Sequence, residues 1–311
     1  VRMAFVHHTE NPNGYLPGEV PAMLRAIFAF HRYVRGWNDI GYNFVIDLYG
    51  RIFEARAGGI DEAVVGAQAG GYNTESTGVA VLGEFMSVPV SPAAARALER
   101  LLAWKLSLHG VPALGQVTVR VNPAGASYTP FRPGQRVSLP RVAGHRDGDS
   151  TDCPGNVLYA QLPELRPRIH RLAGRPARLT LTLAGQAPAA PGQPAGAVQI
   201  TLAGTFTFLD GTPITGASVL VQARSVAQRG EVVDEQTLAR AVSDAGGSWS
   251  ATIVSAPSGG VSWLRALCPG GGEAGSGGAG ATASEALSLA GAVTGAPAAP
   301  PTAAEPVPPA S

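Results

Sequence analysis

A short loop near the middle of the chain carries a histidine and a cysteine. It runs from Gly144 to Gly155 with the sequence GHRDGDSTDCPG, so that His145 and Cys153 are separated by eight positions. The Gly, Asp, Ser and Pro residues favour turns and compete for backbone hydrogen bonds, which predicts a loop here. Imidazole and thiolate are side chains that zinc prefers, and a loop of this length can fold both back onto one ion.

A third ligand is available at the start of the chain. His7 follows an apolar run that predicts a short buried strand, Met3 to Val6, and the end of such a strand holds a side chain rigidly. Zinc bound by two imidazoles and one thiolate keeps its fourth position for water, as in catalytic sites, and lowers the pKa of that water toward ~7. The residues therefore predict a zinc hydrolase, with His7, His145 and Cys153 as ligands. They also leave open a structural interpretation, in which His7 is a satisfied core histidine and Cys153 a small buried apolar side chain.

Other polar residues near these three receive lesser roles. His8 follows His7 in the strand and should point to the opposite face, so we interpret it as structural. His31 lies on the apolar face of a predicted helix and is expected in the core. Asp39 and Asp147 are interpreted as loop-forming side chains, and Asp147 is also a candidate to orient His145 as a hydrogen-bond acceptor.

The elements around these residues alternate between strands and helices, which predicts an α/β domain over residues 1–174. Helices are predicted by apolar spacing over residues 20–34 and 158–172, and by a Ser91 cap with Pro92 in the first turn and a stop at Gly110. Strands are predicted over residues 3–6, 42–47, 51–56, 78–83, 117–121 and 136–139.

The pattern changes after Gly174. Short alternating strands separated by turn residues predict a β-sandwich over residues 198–290, preceded by a first strand and linker over residues 175–197. Strands are expected over residues 178–183, 198–202, 204–208, 217–222, 248–253, 261–268 and 283–289. The glycine-rich loop over residues 270–280 and the Ala/Pro-rich tail over residues 291–311 are predicted to be disordered or extended.

Composition excludes several classes of function. The chain has 311 residues and a net charge of +1, which gives no basic field that would favour nucleic acid as a partner. No apolar run is long enough to cross a bilayer, so no membrane span is predicted. Lys105 is the only lysine, which argues against lysine as a Schiff-base former or general base, and two cysteines are too few for a disulfide framework. Since Val1 opens directly in the first strand, we expect that a preceding segment is missing.

Five motifs occur in order along the first half of the chain. They are FVHHT at residues 5–9, GWNDIGYNF at 36–44, GAQ and GYN at 66–68 and 71–73, STG at 76–78, and GHRD with TDCPG at 144–147 and 151–155. Over residues 1–172 the chain thus resembles the peptidoglycan recognition protein family, grouped with the type 2 N-acetylmuramoyl-L-alanine amidases. The resemblance implies a mixed central β-sheet flanked by helices. It also implies a zinc-dependent amidase that cuts the bond between the muramyl lactyl group and L-Ala of peptidoglycan.

The resemblance assigns roles residue by residue. His7, His145 and Cys153 match the zinc ligands of the family. Tyr42 matches a tyrosine whose hydroxyl orients the attacking water or the developing oxyanion. Thr151 stands where many of the amidases have threonine, and its hydroxyl can donate one hydrogen bond to that oxyanion.

Substrate contacts and departures from the family are less defined. Arg56, Gln68 and Asn73 are the candidate substrate-binding residues, with Arg56 matching an arginine at the rim of the family's groove, where it contacts the stem peptide or is a solvated charge. Gln68 replaces the usual histidine, and Ala57-Gly58 replaces a Gly-Trp pair that is tied to the third stem-peptide residue. The insertion over residues 115–140 resembles that of bacterial, especially actinobacterial, members.

Two other functions compete with the enzyme. The first is a non-catalytic module that binds peptidoglycan; such family members typically lose the cysteine ligand, whereas this chain keeps Cys153. The second places the function in the β-sandwich, which offers no catalytic cluster because Cys268 has no histidine nearby. We expect a monomeric amidase, secreted or associated with the cell envelope, that acts on peptidoglycan or muropeptides.

Overall fold

The computed structural model describes residues 1–193, 197–226, 232–255, 262–270 and 280–288. They form two compact units: the first comprises Val1–Leu106 and Val111–Ala173, and the second comprises Ser107–Gly110 and the described residues from Gly174 onward. Most of the predicted glycine-rich loop, residues 271–279, and the predicted tail, residues 291–311, lie outside the described residues.

The first unit is built on a five-stranded mixed sheet. Its strands in chain order are β1 (Met3–His8), β2 (Phe44–Ile46), β3 (Ile52–Glu54), β4 (Ser76–Val81) and, numbered after a separate hairpin, β7 (Val142–Gly144). The spatial order is β3-β2-β4-β1-β7. β1 is parallel to both β4 and β7, β2 is parallel to β4, and β3 closes an antiparallel hairpin with β2. The mixed central sheet implied by the family resemblance is confirmed.

Helices cover both faces of this sheet. α2 (Pro92–Leu108) and α3 (Asn156–Ala173) pack on one face, and α1 (Val20–Ala29), which continues into a π-helical turn over Phe30–Val34, packs on the other. The Ser91 hydroxyl accepts a hydrogen bond from the Ala94 N–H at 3.1 Å, which confirms the predicted cap of α2. No described helix combines the length and the apolarity that a membrane span requires.

The alternation of β1 decides which of its side chains face which layer. Ala4 and Val6 belong to the apolar core beneath α2 and α3, whereas Phe5 belongs to the core on the opposite face. Because side chains alternate along a strand, His7 points to the face of Phe5 and His8 to the face of Val6. The prediction that His7 and His8 point to opposite faces of the sheet agrees with this arrangement.

A two-stranded hairpin lies outside the sheet. It consists of β5 (Gln116–Arg120) and β6 (Arg136–Pro140), paired antiparallel over their whole length. Val117 and Val119 are buried in the same apolar core as Phe5, which fixes the hairpin to the sheet, and the intervening positions are exposed.

The second unit is all-β, as predicted. It holds two sheets whose inner side chains share one apolar core. The strands of one sheet are β8 (Ala177–Leu179), β9 (Thr182–Pro188), β10 (Val198–Phe208) and β13 (Ser248–Ser255). The other sheet contains β11 (Ser218–Val226), β12 (Val232–Val242), β14 (Ser262–Cys268), β15 (Thr282–Ala283) and β16 (Leu287–Ser288).

Two strands of this unit differ from the sequence prediction. The single strand predicted over residues 178–183 is divided between β8 and β9, because Thr180 turns to pair with Thr205, whose N–H donates to the Thr180 hydroxyl at 2.7 Å. β12 was not predicted. Its residues 234–237 are all exposed, so that stretch lacks the apolar alternation by which a strand is recognised in sequence.

Candidate metal centre

The strand β1 and the loop that follows β7 bring the three predicted ligands together. The side chains of His7, His145 and Cys153 each offer one ligand atom, and these atoms all lie within 4.8 Å of one another. His7 Nδ1 is 3.6 Å from Cys153 Sγ, and the His7 and His145 rings are 4.4 Å apart between centroids. Two segments separated by more than a hundred residues thus converge on one point.

The ring nitrogen of His7 that faces away from the cysteine is held by Gln68. His7 Nε2 is 2.5 Å from Gln68 Oε1, and the Gln68 amide nitrogen donates to Ser76 Oγ at 2.9 Å. Since Ser76 Oγ in turn donates to the Tyr72 carbonyl at 2.9 Å, the amide is fixed with its oxygen toward the imidazole. This arrangement places the proton of His7 on Nε2 and leaves Nδ1 as a lone-pair donor.

His145 is held in the same way by a carboxylate. His145 Nε2 is 2.9 Å from Asp149 Oδ2, which also accepts a hydrogen bond from the Gly70 N–H at 2.7 Å. The loop-forming interpretation of Asp147 is therefore confirmed, and only its alternative role as the partner of His145 is wrong. Asp147 instead accepts hydrogen bonds from the Gly144 N–H at 2.9 Å and the Tyr159 hydroxyl at 2.5 Å, and so stabilises the loop itself.

The electrostatics of the three side chains suit a metal ion. Burial lowers the pKa of His7 well below its usual value, and the neighbouring His145 acts in the same direction, so the His7 ring is neutral. Burial raises the pKa of the Cys153 thiol to about 12, although a hydrogen bond from the His8 backbone N–H acts against it. Zinc binding would release this thiol proton. A neutral His7 ring, two imidazoles whose outer nitrogens are held by hydrogen bonds, and a thiol that a metal can deprotonate together fit zinc.

His145 and Cys153 line a cleft of about 410 Å³, and His7 is buried beside them. Residues from β1 and the loop after it, from α1 and its π-helical turn, from the segment before β2, and from the loop after β7 line this cleft: His8, Thr9, Glu10, Asn11, Ala26, Ile27, Phe30, His31, Tyr42, His145, Thr151 and Cys153. Sequence reasoning missed Glu10 and the apolar wall formed by Ile27 and Phe30. The sequence did contain a signal for this wall. The predicted helix has more apolar positions than one core-facing stripe needs, so some of them had to face elsewhere.

Tyr42 and Thr151, the two residues predicted to be catalytic, both line the cleft. The Tyr42 ring is 5.1 Å from the His7 ring, and burial, followed by the proximity of Cys153, raises the pKa of Tyr42. Its hydroxyl therefore stays protonated and can donate. Thr151 Oγ1 accepts a hydrogen bond from the Cys153 N–H at 3.2 Å, which orients the hydroxyl and leaves its proton available to a ligand.

The three candidate substrate-binding residues do not line the cleft. Gln68 is 6% exposed, and its side-chain oxygen contacts Nε2 of the His7 ring. Asn73 Oδ1 accepts hydrogen bonds from the Gln68 and Ala69 N–H groups at 2.8 and 3.0 Å, which shapes the loop. Arg56 is 9% exposed and donates to the Ile40 carbonyl at 2.9 Å, so it is not a solvated charge.

Comparison with known proteins extends this picture. A family model described as N-acetylmuramoyl-L-alanine amidase matches residues 1–156. Peptidoglycan-recognition protein SC2 of Drosophila melanogaster is 29% identical over 159 residues, which cover 51% of this chain and 71% of that protein. The human N-acetylmuramoyl-L-alanine amidase is 28% identical over 181 residues, covering 56% of this chain and 26% of its own.

Among solved structures, the Drosophila protein PGRP-LB is 26% identical, with a TM-score of 0.39 and coverage of 52% of this chain and 78% of that one. The family resemblance found in the motifs is confirmed by the family match, which spans half of the chain. The chain belongs to the N-acetylmuramoyl-L-alanine amidase family, which includes the peptidoglycan recognition proteins.

Proposed function

We propose that this protein is a zinc-dependent N-acetylmuramoyl-L-alanine amidase, which hydrolyses the amide bond between the muramyl lactyl group and L-Ala of peptidoglycan. The observation that carries this proposal is the convergence of His7, His145 and Cys153 within 4.8 Å at a cleft. Family membership supplies the class of reaction, and the donor set supplies the expected metal.

The supporting hydrogen bonds favour catalysis over binding alone. A protein that only recognised peptidoglycan would have no need of imidazoles whose outer nitrogens are both fixed, by Gln68 for His7 and by Asp149 for His145. Such second partners raise the basicity of a ligating imidazole and set its direction. Their presence beside a retained Cys153 supports the enzyme.

A Zn²⁺ ion held by His7, His145 and Cys153 would supply Lewis acidity toward the scissile carbonyl and toward water. Tyr42, which stays protonated, donates a hydrogen bond to the oxygen on which negative charge develops, and Thr151 offers a second donor. Hydrolysis adds water across the C–N bond. The lactyl group leaves as a carboxylate, and L-Ala gains a free amine.

The shape of the cleft supports a peptide-bearing glycan as substrate. Ile27 and Phe30 form an apolar wall on the side of α1, while Glu10 and Asn11 are polar groups close to the metal ligands. Pockets that combine apolar walls with a few polar groups fix a ligand's orientation through those groups. Since this substrate occurs in bacterial walls, we propose that the protein acts outside the membrane, secreted or within the cell envelope.

The experiment that tests the proposal is muropeptide digestion with zinc measured in the same sample. The purified chain is expected to hold close to one zinc per molecule and to release free stem peptides, which mass spectrometry identifies by their new N-terminal L-Ala. Removal of the metal with a chelator should abolish cleavage, and added Zn²⁺ should restore it.

Two results would contradict the proposal in different ways. Bound zinc without cleavage of any muropeptide would indicate a module that recognises peptidoglycan. A folded protein that binds no zinc would refute the assignment of His7, His145 and Cys153 as ligands.

A further inference from the structure

The segment that contains the hairpin β5–β6 is strongly basic. From residue 100 to residue 146 the sequence has no Asp or Glu, and from residue 111 it has five arginines. These arginines are Arg120, Arg132, Arg136, Arg141 and Arg146. The net charge of the whole chain is only +1, so this positive charge is a local feature.

The pairing of the hairpin places two of these arginines directly opposite each other. Arg120 of β5 is in register with Arg136 of β6, and both are exposed. Their neighbours Val119 and Val137 point inward to the core, so the two guanidinium groups lie on the same outer face. Like charges in directly opposite positions destabilise a strand pair unless an anion lies between them.

Two further arginines extend this surface. Arg2 donates from Nη2 to the carbonyl of Thr118, two residues from Arg120, at 3.0 Å. Arg141 donates from Nη1 to the carbonyl of Arg2 at 3.4 Å. Burial lowers the pKa of Arg141, and the positive charge of Arg2 lowers it further, as expected for neighbouring cations. We call Arg2, Arg120 and Arg136 the basic face, and Arg141 adjoins it through its contact with Arg2.

The basic face is held in place mainly by neutral acceptors. Besides the two carbonyl contacts above, Arg120 Nη1 donates to the Gly134 carbonyl at 2.8 Å. Arg2 pairs with Glu75 at 3.0 Å, and within the described ranges no carboxylate pairs with Arg120, Arg136 or Arg141. The guanidinium groups of Arg2, Arg120 and Arg141 are therefore positioned, and in the part of the chain that the structure describes only Arg2 has a carboxylate partner, as at a site for an external anion.

The other outward-facing residues of β5 and β6 indicate which class of anion the basic face would bind. The other outward residues of β5 and β6 are Gln116, Thr118, Ser138 and Pro140, and all four side chains are uncharged and non-aromatic. Single-stranded nucleic acids are bound through aromatic side chains on which bases stack, and these strands present none outward. An anionic polymer without nucleobases therefore matches these strands better than a nucleic acid does.

We propose that the basic face binds a phosphodiester polymer attached to the wall that contains the substrate. Guanidinium groups match phosphate oxygens in pairs, and several such groups in a row suit a repeating chain of phosphates. This inference rests on the proposed function, which brings the protein to the wall. Binding a second polymer there would raise the effective concentration of the enzyme at its substrate.

The test uses the full chain and a fluorescent glycerol-phosphate oligomer, with binding followed by anisotropy at low salt. The double variant Arg120→Gln/Arg136→Gln is compared with Arg96→Gln/Arg100→Gln, which removes the same charge from exposed positions of α2. The hairpin variant should bind about three- to tenfold more weakly and with a shallower salt dependence, while the α2 variant binds like the wild type. Thermal unfolding confirms that both variants are folded, and both should cleave soluble muropeptides at the wild-type rate.

Three outcomes would overturn the proposal. Equal weakening in both variants would indicate a general charge effect, and unchanged binding in the hairpin variant would place the site elsewhere. Tighter binding of a single-stranded DNA oligonucleotide with the same number of phosphates would indicate a nucleic-acid site instead. Oligomer binding by a wild-type protein that cleaves no muropeptide would contradict only the amidase proposal, so the two failures are distinguishable.

Discussion

The two cysteines of this chain have the same burial and opposite surroundings. Cys153 and Cys268 are each 7% exposed, neither forms a disulfide, and burial raises the pKa of both thiols. Cys153 lies in a loop with His7 Nδ1 at 3.6 Å. Cys268 ends β14 within an apolar core, and residues 174–311 contain no histidine. Burial alone therefore does not indicate a reactive thiol; the convergence of other ligands does.

The buried polar groups of the two units differ in a corresponding way. In the first unit Gln68 and Asp149 each hold one nitrogen of an imidazole, which leaves the other nitrogen for a ligand. In the second unit Arg265 donates to Gln222 at 3.0 Å, and Gln222 donates to Glu235 at 2.8 Å, so the polar groups bond to one another. The first arrangement prepares a site, and the second stabilises a fold.

The largest expected effect separates the two cysteines directly. Cys153→Ser should lose bound zinc and reduce muropeptide cleavage on the order of 10³-fold or more, because one of three ligands is removed. Cys268→Ser should keep both properties and cost about 1–2 kcal/mol of stability, because a hydroxyl enters an apolar core. Zinc analysis, cleavage assays and denaturant unfolding measure these effects. Zinc retained by Cys153→Ser, or lost by Cys268→Ser, would contradict the distinction between the two cysteines.

A smaller effect is expected at Tyr42. Tyr42→Phe removes the hydroxyl expected to donate to the developing oxyanion, so kcat should fall by about 10²-fold while the zinc content is unchanged. Tyr49→Phe is the matched control, since its hydroxyl donates to the Tyr15 carbonyl at 2.6 Å and does not line the cleft. A Tyr42→Phe protein with the wild-type kcat would exclude the proposed role.

A more specific comparison is between two aspartates of the loop from Gly144 to Gly155, Asp149 and Asp147. Asp149→Asn should weaken zinc binding by about 10- to 100-fold, because the Asp149 carboxylate is the acceptor that orients His145. Asp147→Asn should leave zinc affinity near that of the wild type and cost about 1 kcal/mol through its bond with Tyr159. Competition with a coloured chelator measures both affinities. Equal losses would mean that the loop's conformation, rather than a specific contact, positions His145.

The smallest effect is expected from removing the second unit. Deletion of residues 176–311 should change the cleavage of soluble muropeptides by no more than about twofold, because each unit has its own apolar core and the ligands all belong to the first. Circular dichroism would establish that the shortened protein is folded. If that folded protein did not cleave, the second unit would contribute to the reaction.

The features that sequence predicted are those fixed by local pattern. Strand alternation placed His7 and His8 on opposite faces, turn-forming residues defined the loop of His145 and Cys153, and a cap with a proline located α2. The supporting contacts were not predictable in this way. The loop contains three aspartates at positions 147, 149 and 152, and spacing does not indicate which of them reaches the imidazole.

Longer-range features were missed for related reasons. Gln68 meets His7 across the sheet, from a segment that follows β3, and only the folded topology brings the two together. The strand β12 was missed because residues 234–237 are all exposed, so burial leaves no periodic signal there. The opposed pair of arginines depends on the register of a hairpin, which single strands do not reveal.

The alternation of β1 also makes two adjacent histidines non-interchangeable. His8 is next to His7 in sequence, yet its backbone N–H contacts Cys153 Sγ at 3.4 Å while its ring Nδ1 lies 3.4 Å from the Phe85 backbone nitrogen. One residue inserted earlier in β1 would keep the FVHHT motif but turn the side chain of His7 to the opposite face of the sheet, away from His145 and Cys153. In the observed register only His7 faces His145 and Cys153, so the site depends on the register of β1 as well as on the residue at position 7.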